Sequence, residues 1–189
     1  MANAKLPEYI RSLMPGSAES VSLLLSHFEH KVLQKGDTVL KEGEICNAFY
    51  FVESGHLRTC YNKEGVKINM HFHLEGSITS DHRNAKAGIP SEFTIEAGER
   101  SEIWIINRKT LVDLCYANPE IMVFGRRLSS RILLDSSAHS NLFKMYTPAE
   151  RYQYIEKNSP QLLQRISLSN LASYLGMNRR TLTRIRAKK

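Results

Sequence analysis

Cysteine is scarce in this 189-residue chain, and the three present (Cys46, Cys60, Cys115) form no C-x-x-C pair and no even framework. That spacing argues against disulfides, a Cys-type zinc site and a thiolate-held iron–sulfur cluster. Three reduced, mostly buried thiols are the expectation. Long apolar runs are missing too, none approaching the ~18 residues of a membrane span. Met1 to Pro7 carry one Lys and no apolar core. No secretory signal is therefore expected, and the expected compartment is cytoplasmic. There is no G-x-S-x-G, no P-loop and no dinucleotide glycine fingerprint, so no enzyme activity and no cofactor are expected.

What is present in excess is positive charge, and it is localised. The chain is +7 overall. From Met145 to Lys189 there are nine basic residues (Arg151, Lys157, Arg165, Arg179, Arg180, Arg184, Arg186, Lys188, Lys189) and two acidic ones (Glu150, Glu156), which is +7. The preceding 144 residues hold 17 of each sign and are neutral. A small polyanion-binding module joined to a neutral partner has this footprint. A membrane-surface segment would interleave its cations with Trp or Phe, and the last 40 residues have neither.

Along the chain, residues 15–30 read as a helix, with Val21, Leu24, Leu25 and Phe28 at helical spacing. From there to about Asn107, short β-branched or alternating runs recur between turn signals such as Lys35-Gly36-Asp37, Ser54-Gly55 and Glu64-Gly65. Phe49-Tyr50-Phe51-Val52 and Ile103-Trp104-Ile105-Ile106 are strand-like, and Trp104 is expected in the core. Six or more strands turning every ~10 residues imply an antiparallel sandwich, barrel or jelly roll. Residues 85–92 break the rhythm and read as a loop. Helical spacing resumes after Pro119: Ile121, Phe124, Leu128, Ile132 and Asp135 form one stripe, widened by Leu133, Leu134, Ala138 and Leu142. So broad an apolar arc needs two surfaces to cover it, the chain's own β domain and the same helix of a second subunit. The division expected is 1–118 for the β domain with its N-terminal helix, 119–144 for the helix, and 145–189 for a small helical domain.

The last segment carries the sharpest pattern. Pro148 to Asn158 is a short helix stopped by Asn158-Ser159-Pro160. Then Ser167 can cap a helix and Asn178 a second one. Ala172 is small where two helices approach, and Gly176 tolerates the left-handed conformation of a three-residue turn. Leu171, Leu175, Met177, Leu182 and Ile185 are apolar on the inner side. Asn178, Arg179, Arg180, Thr181, Arg184 and Lys188 are left as the face that meets duplex DNA. A plain two-helix hairpin would share the apolar spacing; the Ala, the Gly and the basic outer face together favour a helix-turn-helix.

These residues resemble the Crp/Fnr superfamily of bacterial transcription regulators over nearly the whole chain. "KGDTVLKEGEICNAFYFVESGHLR" resembles the opening strands of that family's cyclic-nucleotide-binding-type β-roll, and "LASYLGMNRRTLTRIR" resembles its helix-turn-helix. The resemblance implies an α+β fold: an antiparallel, jelly-roll-like β-roll sensor domain, a long dimerisation helix, and a small α-helical helix-turn-helix domain. It implies a homodimer on duplex DNA through Ile121, Phe124, Leu128 and Ile132, with RNA polymerase as a further partner and an unknown effector. Two departures stand out. Members that bind cyclic nucleotides place an Arg-Ser or Arg-Thr pair on the cyclic phosphate; here Ser91-Glu92 stands at that point, with Asp81 near the Glu position. A carboxylate there repels a phosphate, and Arg83 is the substitute cation in reach. The β-hairpin wing that usually follows is also expected to be missing, leaving DNA to the helix and Lys188-Lys189.

The competing reading is a cupin-like metal- or small-molecule-binding β-roll whose basic tail serves no DNA role. Gly65, His71 and His73 match the start of G-x5-H-x-H, and alternate strand positions put both imidazoles on one face. Glu75, however, is only two residues after the second His, and no second cupin motif follows. Two solvent-facing histidines are the expectation, with no metal.

Overall fold

A computed structural model describes residues 4–81 and 88–187. They divide into two compact units, Met1–Cys60 with Phe72–Ile132, and Tyr61–His71 with Leu133–Lys189.

The first unit opens with α1 (Lys5–Leu13) and α2 (Ala18–Leu25). Its strands are β1 (Glu29–Leu33), β2 (Thr38–Leu40), β3 (Ala48–Ser54), β4 (Leu57–Lys63), β5 (Val66–His73), β6 (Ile78–Thr79), β7 (Phe93–Ala97) and β8 (Ser101–Asn107). They form two four-stranded sheets, ordered β1-β8-β3-β6 and β2-β7-β4-β5. The pairs β1–β8, β2–β7, β3–β6 and β3–β8 are antiparallel, with Phe51 opposite Trp104 in the last. Helix α3 (Arg108–Ala117) follows β8, capped by the Asn107 side chain, and leads into α4 (Pro119–Met145).

The apolar run Phe49-Tyr50-Phe51-Val52 explains the layering, because a strand apolar at every position must be covered on both faces. Tyr50 and Val52 point into the roll with Leu33, Leu40, Leu57, Ile95 and Ile103. Phe49 and Phe51 point the other way, onto a layer made by Leu6, Ile10 and Met14 of the α1 region, Leu24, Leu111, Ile121, Phe124 and Leu128. β8 alternates likewise, Ile103 inward and Ile106 toward the helices. Trp104 is half-buried, its indole N–H donating to Glu53 at 3.1 Å.

Two local expectations change. The helix read over 15–30 is confined to Ala18–Leu25: Ser17 caps its start, and backbone bonds at Ser26–Phe28 turn the chain into β1. Its predecessor α1 escaped notice, although Leu6, Ile10 and Leu13 share one buried face. The loop expected over 85–92 lies partly outside the described residues.

In the second unit, α5 (Pro148–Asn158) begins with a complete capping box between Thr147 and Glu150. Those bonds hold the Glu150 carboxyl below its usual range. It is followed by α6 (Pro160–Arg165), α7 (Leu168–Tyr174) and α8 (Arg179–Ala187). The tip of the β4–β5 hairpin belongs to the same unit. Its turn has Glu64 and Gly65 both at positive φ (52° and 84°), the signature of a two-residue type I′ connection in which Gly bears the second left-handed position without steric cost.

Candidate nucleic-acid interface

The two helices α7 and α8 are set at their angle by caps and by one turn. Ser167 accepts from the Asn170 amide, starting α7, and Asn178 Oδ1 accepts from the Thr181 amide at 2.8 Å, starting α8. Between them Met177 N–H returns to the Ala172 carbonyl at 3.0 Å and Gly176 N–H to Ser173, closing the end of α7. Gly176 has φ +65°, and a methyl group there would sit 3.1 Å from Phe143 Cε1 and 3.2 Å from Arg151 Nη1. The left-handed conformation favours glycine, and any larger residue would also press on the Phe143 and Arg151 side chains. Leu171, Ala172, Leu175 and Leu182 are buried, so the inner faces of both helices are used up in packing.

The outer face of α8 is what remains. Asn178, Arg179, Arg180 and Arg184 are exposed and Thr181 is half-buried. These residues, with Thr183 and Ala187, line one shallow open depression. Thr183 and Ala187 went unremarked in the sequence because neither is charged; their spacing from Arg179, Arg180 and Arg184 on one helix was the available signal. Lys188 lies outside the described residues, as do Lys189 and Arg83. Not every cation of the basic segment faces outward. Arg151 donates to the carbonyls of Tyr146 (3.1 Å), Leu175 (3.0 Å) and Phe143 (3.3 Å) and stacks on the Phe143 ring at 4.7 Å. It is a structural clamp.

The stripe expected at a subunit interface is corrected. Ile121, Phe124 and Leu128 are at most 1% exposed and sit in the chain's own core, with Ile132 packed at its edge. Side chains already enclosed by their own chain have no surface to give a second one. The large apolar side chains left exposed on α4 are Leu133 and Leu134, 67% and 69% exposed, and Met145 at its end.

In the connection between β6 and β7, Ser91 is 2% exposed and donates to the Asp81 carboxylate at 2.6 Å. The Ser91 backbone is tied on both sides to the turn before β3, its N–H to the Glu44 carbonyl and its C=O to the Gly43 N–H, each at 2.8 Å. Glu92 is exposed. Close by in sequence and contact, Ser80 accepts from Arg108 Nη2 at 2.7 Å, and the Arg108 guanidinium lies over the Phe49 ring at 4.6 Å. Arg58 pairs with the buried Glu96 carboxylate at 2.5 Å, leaving that guanidinium already neutralised.

The two histidines expected to face solvent are both half-buried and engaged. His73 Nε2 lies 2.9 Å from the Thr59 hydroxyl and 3.2 Å from that of Thr79. The His71 ring packs against His139 at a tilt of 40°, centroids 3.8 Å apart. Among the described residues no three His, Cys, Asp or Glu side chains converge on a metal position. None of the three cysteines is in a disulfide; Cys46 and Cys60 are buried, and Cys115 is half-buried with its proton affinity raised by burial. Among the described residues no helix is long and apolar enough to cross a membrane.

Comparison with known proteins agrees with this architecture. Residues 30–118, from β1 through α3, match the cyclic nucleotide-binding domain. No curated protein matches the sequence. Solved structures do. FixK2 from Bradyrhizobium japonicum superposes with a TM-score of 0.71 at 18% identity, covering 85% of this chain and 83% of its own. The c-di-GMP responsive global regulator CLP from Xanthomonas campestris gives 0.65 at 18%, covering 91% of both chains. The catabolite activator protein of Thermus thermophilus gives 0.55 at 20%, covering 91% of this chain and 83% of its own. Residues 30–118 are thus similar to the cyclic nucleotide-binding domain, and the chain has the fold of these solved regulators.

Proposed function

We propose that the protein is a sequence-specific, DNA-binding transcription regulator of the Crp/Fnr type, acting as a homodimer and not responding to cyclic nucleotides. The observation that carries the DNA reading is the outer face of α8. Arg179, Arg180 and Arg184 are exposed on one side of a capped helix whose other side is packed by Leu182, in the last quarter of the chain, whose net charge equals that of the whole. An α-helix with such a face enters the major groove, where guanidinium forks read guanine edges and phosphates. Asn178 and Thr181 assist at its first turn and Lys188 beyond its end. The division of labour is a sensor roll to residue 118, a dimerisation helix over 119–144, and DNA binding from 145. Dimerisation uses the outward face of α4, with Leu133 and Leu134 as its centre. RNA polymerase is the further partner on the promoter.

The negative half of the proposal rests on Asp81 and Ser91. A cyclic phosphate needs a cation and donors where it is buried. At that point the roll offers a serine hydroxyl already given to a carboxylate. The cupin-like alternative has no comparable support, since His71 and His73 each have other partners.

Selection of bound sites from a random duplex pool, followed by a salt titration on the winning site, tests the reading. Log affinity should fall steeply and linearly with log salt, and footprints should show two half-sites about one helical turn (~34 Å) apart. Failure to bind any duplex at 50 mM salt, or a salt-independent affinity, overturns it.

A further inference from the structure

We propose that α8 carries a second reading element besides its arginines: the methyl groups of Thr183 and Ala187, which select a thymine in each half-site by contact with its C5-methyl. The inference deepens the DNA-binding reading and rests on it.

Helical geometry fixes the order of side chains around α8. Arg180, Thr183, Arg184 and Ala187 follow at i, i+3, i+4 and i+7 and make one stripe. All four are exposed, while Leu182 on the opposite side is buried and Thr181 and Ile185 are half-buried beside it. Arg179 and Arg186, seven residues apart and both exposed, lie together along one flank of the stripe, next to Thr183. Passing around the helix, the order is therefore the Arg179–Arg186 flank, the two short side chains, then Arg180 and Arg184. Short side chains among long ones give this face its shallow depression.

What the two short side chains offer a base is hydrocarbon. Thr183 Oγ1 donates its hydrogen to the Arg179 carbonyl at 3.0 Å, one turn back along the helix. With that proton given to its own backbone, the γ-methyl is the group left to meet a base. Ala187 has only a methyl. The neighbouring amide oxygen is engaged as well, Asn178 Oδ1 receiving the Thr181 N–H at 2.8 Å. Hydrogen-bond readout thus falls to the guanidinium forks, which suit guanine O6 and N7. The methyls suit a different mark. In the major groove a thymine presents its C5-methyl beside its own strand's backbone, and Ala and Thr methyls are apolar partners for it. With Arg179 and Arg186 on the phosphates of one strand, Thr183 and Ala187 come over the methyl edge of that strand's bases. Four residues of helix rise ~6 Å, so the pair spans one or two base steps of about 3.4 Å. Taking one methyl-sized group out of water is worth about fourfold in affinity.

The test uses the full chain and the duplex selected above. Each thymine of one half-site is replaced singly by deoxyuridine, which removes the C5-methyl and nothing else. One or two positions should lose about fourfold in affinity, with the salt slope unmoved because no charge is removed. Thr183→Ser keeps the hydroxyl and its bond to the Arg179 carbonyl but lacks the methyl. It should bring the thymine-to-uracil affinity ratio close to one at one of those positions. Thr183→Val keeps a methyl without the hydroxyl and should retain the ratio of the unsubstituted chain. The reverse pattern, with the ratio kept by serine and lost by valine, assigns the reading to the hydroxyl and overturns the inference. So does a selected half-site with no preferred A·T pair, or with no uracil-sensitive position. In each of those cases steep, salt-dependent binding leaves the DNA reading standing. Absence of binding to any duplex sinks the DNA reading, and the inference falls with it.

Discussion

Replacing Arg151 with alanine should loosen the helical unit from inside while leaving its outward charge pattern intact. The guanidinium serves three backbone carbonyls, Phe143, Tyr146 and Leu175, and lies on the Phe143 ring. Two of those carbonyls are at the ends of α4 and α7, where no intrahelical donor exists. A hydrogen bond to a charged donor contributes about 1.5–3 kcal/mol where it is buried. Arg151 is half-exposed and water can replace part of each bond, so the three together with the ring contact should amount to about 2–3 kcal/mol. In a unit of this size that lowers its melting point by roughly 10–20 °C. Lysine should restore little, because one ammonium cannot reach three carbonyls that a planar fork reaches at once. The assay is thermal unfolding with amide exchange, paired with the salt dependence of duplex binding at low temperature, where the variant stays folded. The salt slope should not move. A slope lowered by about one, the mark of a lost phosphate contact, or unfolding within ~0.5 kcal/mol of the unsubstituted chain, would refute the clamp.

Arg184→Ala should weaken specific duplex binding by about 1–3 kcal/mol and relax preference at one base position, read by competition with mutated sites. Lys188→Ala should weaken all sequences alike and lower the salt slope by about one. Phe124→Ala should cost about 3–5 kcal/mol in unfolding of the first unit, because it empties an enclosed aromatic site. Leu134→Glu, by contrast, should leave that unfolding unchanged and split the dimer in light scattering at micromolar concentration. Calorimetry with cyclic AMP and cyclic GMP should show no micromolar binding; heat at that level would mean that another cation reaches the Asp81–Ser91 position.

Charge and turn chemistry made the C-terminal helices readable. Ser167, Gly176 and Asn178 each have a local job that few other residues do, and the structure finds them doing it. The roll was legible for a similar reason, since runs such as Phe49–Val52 between glycine turns have few places to go. What periodicity could not say was which neighbour covers an apolar face. Ile121, Phe124 and Leu128 look alike whether they meet a sheet or a second helix, and only the packing of α1, α2 and β3 against them decides it. The histidines were misjudged in the same way. Alternation put His71 and His73 on one side of a strand, but nothing local could reveal that His139 and Thr59, distant in sequence, would be waiting there.

The hairpin tip also sets an order of events during synthesis. Asn69 bonds to Ser173, 104 residues further along the chain. At a translation rate of about 5–20 residues per second, the hairpin emerges roughly 5–20 s before its partner helix exists. The roll has β8 and α4 to complete in that interval, but Asn69 has no α7 to bond to. Closing so long a loop is also the slow kind of contact. The second unit is thus the last part of the chain to become whole, and a ribosome paused after α5 would display a roll whose hairpin has His139 of α4 beside it but no α7 for Asn69.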